Sequence, residues 1–307
     1  MKNQDQQRQK MFNELSINLA TYSNPKITDK FVCPICLEIL NSSENLSVAH
    51  ILPKALKGRS FTLTCTRCNN NIGSNIESYE DKRAKLISAN SCPVRLRPLD
   101  SSSSKEHGNI TANMTLIDDK SSILRLDLIS KQSSPHTIQK LEEHWGKPGF
   151  SFQIEFKACQ WSRAKLTYLH SAFLFLFSQF GYEWALDPCT KAIREQLQKP
   201  EEDIISFEVG ELINFEFANF PRNPEPLSLY LIREPEESKG FLVVFSGLKH
   251  WNSPIGVWMP LFGSSYKLPE LSNLRVVRLK TLSNHLSTFN YWNSGHHLVQ
   301  HFFPSSN

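Results

Sequence analysis

The second half of the chain carries the clearest hydrophobic pattern. Between Ser162 and Phe180, apolar residues recur at helical spacing over a broad surface, which predicts a helix packed in a core. Further helices are predicted from Thr137 to Trp145 and from Pro188 to Leu197. From Ile204 onward, short runs rich in β-branched and aromatic residues are separated by Pro, Asn and Gly, and they predict an antiparallel sheet of roughly five or six strands.

Alternating apolar and polar residues predict four strands earlier in the chain. These segments are Ser121–Leu128, Phe150–Phe156, Leu46–Leu52 and Phe61–Thr64. The run from Leu46 ends at Pro53, where a strand is expected to stop, and the run from Phe61 leads back along it. We therefore expect these last two segments to form a hairpin.

Helices are predicted on both sides of this hairpin. A short polar helix is expected from Gln6 to Leu19. Ser74 and Glu77 have the spacing of a capping box, in which the serine accepts from the amide of Glu77 and the glutamate side chain reaches back. This pattern predicts a helix from about Asn75 to Ser88. The mixture of helices and strands predicts an α+β fold.

Composition supports a packed protein with an uneven charge. The 307 residues are 40% hydrophobic and 11% aromatic, which is enough for one large or two ordinary domains. The formal charge is +4, yet residues 45–98 alone carry nine Lys or Arg and three Asp or Glu. Such a surplus is typical of a protein that binds a phosphate backbone, although a solvated face is the alternative. The candidate contacts are Lys54, Lys57, Arg59 and Arg67.

The sequence favours a cytoplasmic protein that does not enter a membrane. Its first ten residues lack an apolar signal core, and its most apolar run, Tyr168–Leu186, is interrupted by His170, Gln179 and Glu183. Of the seven cysteines, four stand at metal-binding spacing, which fits a reducing compartment better than a disulfide scaffold.

Two CxxC pairs provide the strongest chemical signal. Cys33 and Cys36 form the first pair, and Cys65 and Cys68 form the second, with 28 residues between them. Each two-residue spacer can direct both sulfurs at one ion, so four thiolates predict a tetrahedral structural Zn²⁺ site. Separate buried thiols are the alternative. A zinc ion there would clamp both ends of the predicted hairpin and stabilise a module too small to bury its own core.

The same stretch resembles the HNH family of nucleases, which have the ββα-metal fold, and in particular their zinc-stabilised branch. The resemblance covers about a sixth of the chain. The matching residues are Cys33, Cys36, His50, Ile51, Pro53, Gly58, Cys65, Cys68, Asn69, Gly73 and Ser74. It implies an N-terminal zinc-clamped ββα-metal module. The patterns of the later residues, which lie outside the resemblance, predict a larger α+β domain in which an antiparallel sheet packs on helices.

The resemblance also implies an active site separate from the zinc. His50 matches the general base that deprotonates the attacking water, and Asn69 matches the last metal-binding position of the family. The catalytic ion would be Mg²⁺ or Mn²⁺, which needs oxygen ligands that a closed thiolate site does not provide. Further candidate ligands are Asn70, Asn71, Glu77 and Glu44.

Two positions depart from the family pattern. Ala49 stands where the family has a metal ligand directly before the base, and Ser60 stands where it has its middle asparagine. Two functions therefore stay open. The first is a metal-dependent endonuclease that hydrolyses phosphodiester bonds in DNA, with RNA as the alternative substrate. The second is a catalytically degenerate zinc-finger module that binds DNA or serves in assembly.

The resemblance and a short serine run, Ser101–Ser104, suggest three parts. We expect an N-terminal extension at 1–30, the nuclease module at 31–100 and an α+β domain at 101–307. The last domain is expected to provide specificity, regulation, or contact with a protein partner or another copy of the chain. Restriction of foreign DNA, a role in a phage or mobile element, and a toxin are all compatible with this architecture. By analogy with other small nucleases fused to unfamiliar domains, bacterial defence against foreign DNA is the role we expect.

Overall fold

The structure, a computed structural model, describes most of the chain outside the last 28 residues. The described residues are 2–53, 56, 58, 61–88, 91–100, 110–118, 123–129, 133, 135–144, 150–156, 161–211, 226–248, 254–264, 266–269 and 275–279. Outside them lie the serine run Ser101–Ser104 and residues 213–220, which form one of the runs after Ile204 that predict strands.

Seven α-helices are formed by the described residues, and they include every helix predicted above. Their bounds are α1 Lys2–Tyr22, α2 Thr66–Ile72, α3 Ser78–Ser88, α4 Pro135–His144, α5 Trp161–Phe180, α6 Tyr182–Ala185 and α7 Lys191–Gln198. A π-helical segment, Gly73–Glu77, joins α2 to α3, and a 3₁₀ turn, Pro188–Thr190, precedes α7.

The strands stand in runs between these helices and form antiparallel sheets, so the α+β prediction is confirmed. Their bounds are β1 Phe31–Val32, β2 Ile39–Leu40, β3 Leu46–His50, β4 Phe61–Cys65, β5 Ser91–Asp100, β6 Ile110–Asp118, β7 Ile123–Leu128, β8 Phe150–Phe156, β9 Val209–Glu211, β10 Leu227–Glu234, β11 Gly240–Phe245, β12 Ile255–Met259 and β13 Arg275–Leu279. The predicted hairpin is the antiparallel pair β3–β4.

The chain divides into two compact units, residues 1–80 together with 161–307, and residues 81–160. The second unit is a four-stranded antiparallel sheet in the order β7-β6-β5-β8. Its buried residues are Val94, Leu96, Ile110, Ala112 and Leu141. Because β5 pairs with β6, with Leu96 opposite Ile110, the boundary expected after residue 100 falls within this sheet rather than between domains.

The first unit is built around α5 and a five-stranded antiparallel sheet. The strand order is β13-β10-β11-β12-β9 among the described residues. All six residues of β11 are buried, and the ring of Tyr168 on α5 meets that of Phe245 edge-on at 5.5 Å. Helix α5 also packs against the π-helical segment and β4. Residues 31–80 therefore share a unit with this sheet instead of forming a separate module.

The helix that follows the hairpin begins nine residues earlier than the capping-box pattern predicted. It starts at Thr66, because the sulfur of Cys65 accepts a hydrogen bond from the amide of Cys68 and so caps the first turn. The hydroxyl of Ser74 instead donates to the carbonyl oxygens of Asn70 and Asn71, at 3.0 and 3.1 Å. Ser74 thus lies inside the helix, and the predicted cap is wrong.

No helix in the described part of the chain combines the length and apolar character needed to cross a membrane.

Gly240, at the start of β11, tests how tightly the sheet of the first unit is packed. A Cβ atom there would lie 2.2 Å from Nε1 of Trp258 and 2.7 Å from the carbonyl oxygen of Met259. The indole is itself held by a 3.1 Å hydrogen bond to the carbonyl of Ser238. We expect Gly240→Ala to lower the free energy of unfolding by about 1–3 kcal/mol, as measured by denaturant titration.

Gly73→Ala is the matched control for this substitution. Gly73 has helical dihedral angles, and nothing lies within 4 Å of a Cβ built on it. Alanine is the better helix former by about 1 kcal/mol, so this variant should be neutral or more stable. Equal stability of the two variants would contradict the packing described here.

Candidate metal centre

The structure brings the sulfurs of Cys33, Cys36, Cys65 and Cys68 together. All four lie within 4.8 Å of one another, and Cys36 and Cys65 are separated by 3.7 Å. Three of these residues are buried and Cys36 is half-buried. Four convergent sulfurs are the donor set of a structural zinc site, so the cluster could hold such an ion.

Backbone turns on both sides shape this cluster. In the first CxxC, the Leu37 amide donates to the carbonyl of Cys33 at 2.9 Å, and the Cys33 amide donates to the carbonyl of Glu38 at 2.9 Å. Leu37 adopts the left-handed region, with φ 60°, to close this turn. The amide of Cys65 donates to the sulfur of Cys33 at 3.4 Å and so joins the two pairs. Amides aimed at sulfur stabilise the thiolate form, which is the form that binds metal.

The neighbouring thiols also change the acidity of the cluster. Hydrogen bonding with Cys33 is the main cause that lowers the pKa of Cys36, and it lowers the pKa of Cys65 to about 7. Hydrogen bonding within the cluster raises the pKa of the other two thiols, chiefly through Cys36 for Cys33 and through Cys33 for Cys68. Thiolates therefore form readily at two of the four ligands. A closed set of four sulfurs leaves no position for water or substrate, so the site is suited to a structural role.

Residues distant in sequence hold the first cysteine pair in place. The hydroxyl of Tyr182 donates to the carbonyl of Val32 at 2.6 Å and accepts from its amide at 2.9 Å. The side-chain amide of Gln198, at the end of α7, donates to the carbonyl of Ile35 at 3.0 Å. Burial raises the pKa of Tyr182 well above its ordinary value. The sequence pattern identified neither residue, because each is more than 140 positions from its partner.

His50 lies at the opposite end of the hairpin from the sulfur cluster. It is the last residue of β3 and pairs with Phe61, whereas Leu46 pairs with Cys65. Four residues of extended strand separate the two ends by about 13 Å. His50 is half-buried, and the preceding Ala49 is buried and has no donor atom for a metal.

The candidate oxygen ligands are spread along the helix after the hairpin. Asn69 is half-buried on α2, which packs against both β3 and β4, and Asn70 and Asn71 are exposed. Glu77 follows Asn69 by eight residues, which is about 12 Å along a helix axis. These two residues therefore lie about two helical turns apart. Glu44 is exposed before β3.

Glu77 is directed toward α5. Its carboxylate lies 3.6 Å from Nδ1 of His170, which is 4% exposed. One turn further on, the buried Glu80 accepts a hydrogen bond from the hydroxyl of Tyr168, also on α5. We call residues 31–80, which carry the four cysteines, the sulfur module. These two contacts attach the helical segment after β4 in this module to α5, the central helix of its unit.

Among the described residues, the four cysteines are the only group of three or more His, Cys, Asp or Glu side chains that could hold a metal ion. A second site near His50 would therefore depend on amide oxygens, a single carboxylate, water or substrate.

Of the four residues predicted to contact nucleic acid, only Arg67 is among the residues that the structure describes. Lys54, Lys57 and Arg59 lie outside the described residues. The side chain of Arg67 is 65% exposed and forms a 3.1 Å ion pair with Glu38. The positive charge of Arg67 is thus partly neutralised by Glu38, beside the sulfur cluster.

Comparison with known proteins adds no relative. The sequence matches no protein-family model, and neither the curated proteins nor the solved structures contain a match to it.

Removal of one sulfur should abolish metal binding. We expect the wild-type chain to carry roughly one zinc ion and Cys65→Ser to carry almost none, because a structural site needs all four ligands. Since bound metal contributes directly to folding, the variant should also melt at a lower temperature. Elemental analysis and thermal unfolding measure both effects.

Cys189→Ser is the control, because Cys189 is buried but lies outside the cluster. It should retain the zinc content of the wild type. A wild-type protein purified without metal, and unable to take up zinc when it is added, would contradict the assignment.

Proposed function

We propose that this chain is a zinc-stabilised, metal-dependent endonuclease that hydrolyses phosphodiester bonds in DNA. The observation that carries the proposal is the order strand, strand, helix in β3, β4 and α2, with four convergent sulfurs where the helix begins. His50 at the end of β3 and Asn69 on α2 match two of the positions that carry functional side chains in HNH nucleases, whereas Ala49 and Ser60 depart from two others.

His50 would act as the general base. An imidazole is neutral near pH 7 and can still accept a proton, so it can activate water for attack on phosphorus. Its position at a strand end leaves the ring half-buried. About 13 Å of strand separates His50 from the end of the hairpin at which Leu46 pairs with Cys65.

The donor set near Asn69 fits a hard divalent cation with few protein ligands. Mg²⁺ keeps several waters and is commonly held by one or two protein oxygens together with substrate phosphates. Asn69 would provide an amide oxygen, and exposed Asn70 is the nearest further donor in the sequence. When bound, such an ion would neutralise the negative charge that develops on the phosphate.

The second candidate is a zinc-stabilised module that binds DNA or serves in assembly without cleaving it. Two observations favour it: Ala49 cannot ligate a metal, and Glu77 is directed at His170. In either case the four thiols favour a reducing compartment, so we infer that the protein acts in the cytoplasm.

The nuclease proposal is tested by replacing the base. With Mg²⁺ or Mn²⁺ present, the wild type should nick a supercoiled plasmid, and His50→Ala should do so about 100-fold more slowly or worse, because general bases contribute roughly 10²–10⁴-fold. His136→Ala is the control, since His136 is exposed on α4. It should cleave like the wild type.

Equal, low cleavage by wild type and His50→Ala, with zinc still bound, would reject the nuclease and favour the second candidate. Competition between duplex DNA and RNA in the same assay separates the two substrates.

A further inference from the structure

The four sulfurs of the metal centre differ in their access to solvent. Cys33, Cys65 and Cys68 are 0, 2 and 6% exposed, whereas Cys36 is half-buried. Together with Cys68, Cys36 lines a cavity of about 420 Å³, which is far larger than the roughly 30 Å³ that one water molecule occupies. Of the four sulfurs, the one in Cys36 is therefore the most accessible to a small polar oxidant.

The surroundings of Cys36 are charged and open to water. One carboxylate oxygen of Glu38 lies 3.9 Å from its sulfur, and the same oxygen forms the 3.1 Å ion pair with Arg67. The side chains of Glu38 and Arg67 are both exposed, so water surrounds this group. A partly exposed thiolate close to a cation is the environment in which reactive cysteines occur.

Metal binding keeps these cysteines in their reactive form. Cysteine binds zinc as the thiolate, and the thiolate is also the form that peroxides oxidise. Cys189 provides the contrast within the same chain, because it is buried and lies outside the cluster. Burial raises the pKa of Cys189, so this residue stays an unreactive thiol.

A second sulfur lies close enough to Cys36 for a disulfide to form. The two Sγ atoms of Cys36 and Cys65 are 3.7 Å apart, and Cys65 is the last residue of β4. A disulfide bond needs about 2.05 Å between its sulfurs, so these two must approach by roughly 1.7 Å. Rotation of one cysteine side chain covers such a distance once no ion lies between the sulfurs.

We propose that Cys36 is a site of oxidation by peroxides and that Cys65 completes the reaction by forming a disulfide that releases the zinc ion. The Cys36 thiolate attacks one peroxide oxygen, the O–O bond breaks, and a sulfenic acid forms while hydroxide leaves. The Cys65 thiolate then attacks this sulfur, the S–O bond breaks, and the disulfide forms while a second hydroxide leaves. The two cysteines lose two electrons, hydrogen peroxide gains them, and zinc departs unchanged as Zn²⁺.

Oxidation of this pair also affects the helix that carries Asn69. The sulfur of Cys65 caps α2 by accepting a hydrogen bond from the amide of Cys68 at 3.3 Å. A disulfide sulfur has no charge and is a weaker acceptor than a thiolate, so both the metal clamp and the cap are weakened. The oxidation site rests on the metal centre alone, whereas an effect of oxidation on DNA cleavage rests on the proposed function.

The test uses the zinc-loaded full-length chain and no nucleic acid. Hydrogen peroxide is added, released zinc is followed with a chromogenic chelator, and the mass of the denatured protein is recorded. We expect one zinc ion to leave for each disulfide formed, while the mass falls by that of two hydrogen atoms. Tandem mass spectrometry of peptides should find Cys36 joined to Cys65, and dimedone, which traps sulfenic acids, should label Cys36 first. Dithiothreitol with added zinc should restore the loaded protein.

Two histidine variants provide matched controls, because closed sites of three cysteines and one histidine also hold zinc. Cys36→His removes the reactive sulfur, so it should keep its zinc at a peroxide concentration that empties the wild type. Cys68→His retains both Cys36 and Cys65, so it should lose its zinc as the wild type does. Cys189→Ser should also respond like the wild type.

The wild type alone can overturn the proposal, even if a histidine variant fails to fold. Zinc that stays bound in peroxide, a first dimedone label on a buried cysteine, or a disulfide between Cys33 and Cys36 would each do so. A wild type that binds no zinc would reject the metal centre together with this site. Because no substrate is present, zinc release on oxidation of Cys36 supports the site even in a protein that never nicks DNA.

Discussion

The fold of the first eighty residues depends on one constraint, which is the convergence of four cysteine sulfurs. An isolated two-stranded hairpin such as β3–β4 is marginally stable in water, because it buries too little apolar surface. Here the sulfurs tie the turn after β1 to the end of β4 and to the start of α2. The cluster also caps that helix through Cys65. A metal ion bound by these four sulfurs would therefore couple its binding to the folding of this region.

The cluster is supported from outside as well as from within. Tyr182 and Gln198 hold the first cysteine pair, and Tyr168 holds the helix that follows the second. Tyr182 lies on α6 and Gln198 on α7, and both helices pack against α5, which carries Tyr168 and contacts the five-stranded sheet. The sulfur module therefore shares its core with the C-terminal half, and a change in the packing of α5 or α7 reaches the module through these hydrogen bonds.

Local patterns in the sequence predicted much of this fold. The spacing of the cysteines predicted their convergence, and alternation and helical periodicity predicted the hairpin, α5 and the later strands. The start of α2 was missed because a sulfur acts as its cap, and capping rules consider oxygen side chains. The bond from Tyr182 to Val32 spans 150 positions, and no local pattern encodes such a distance. The boundary expected after residue 100 was misplaced for a related reason. Nothing in the serine run between β5 and β6 indicates that these two strands pair in one sheet.

The candidate site was predictable only where its chemistry depends on spacing. CxxC pairs determine how two sulfurs can meet, whereas oxygen ligands such as Glu77 depend on the direction in which a helix face points. In this structure that face meets His170.

The most direct test of the account is X-ray absorption at the zinc edge of the purified protein. Four sulfur neighbours at about 2.3 Å, with no nitrogen or oxygen in the shell, are the predicted result. A shell containing histidine nitrogen or water oxygen, or a protein that folds fully without zinc, would contradict the claim that this cluster holds the module together.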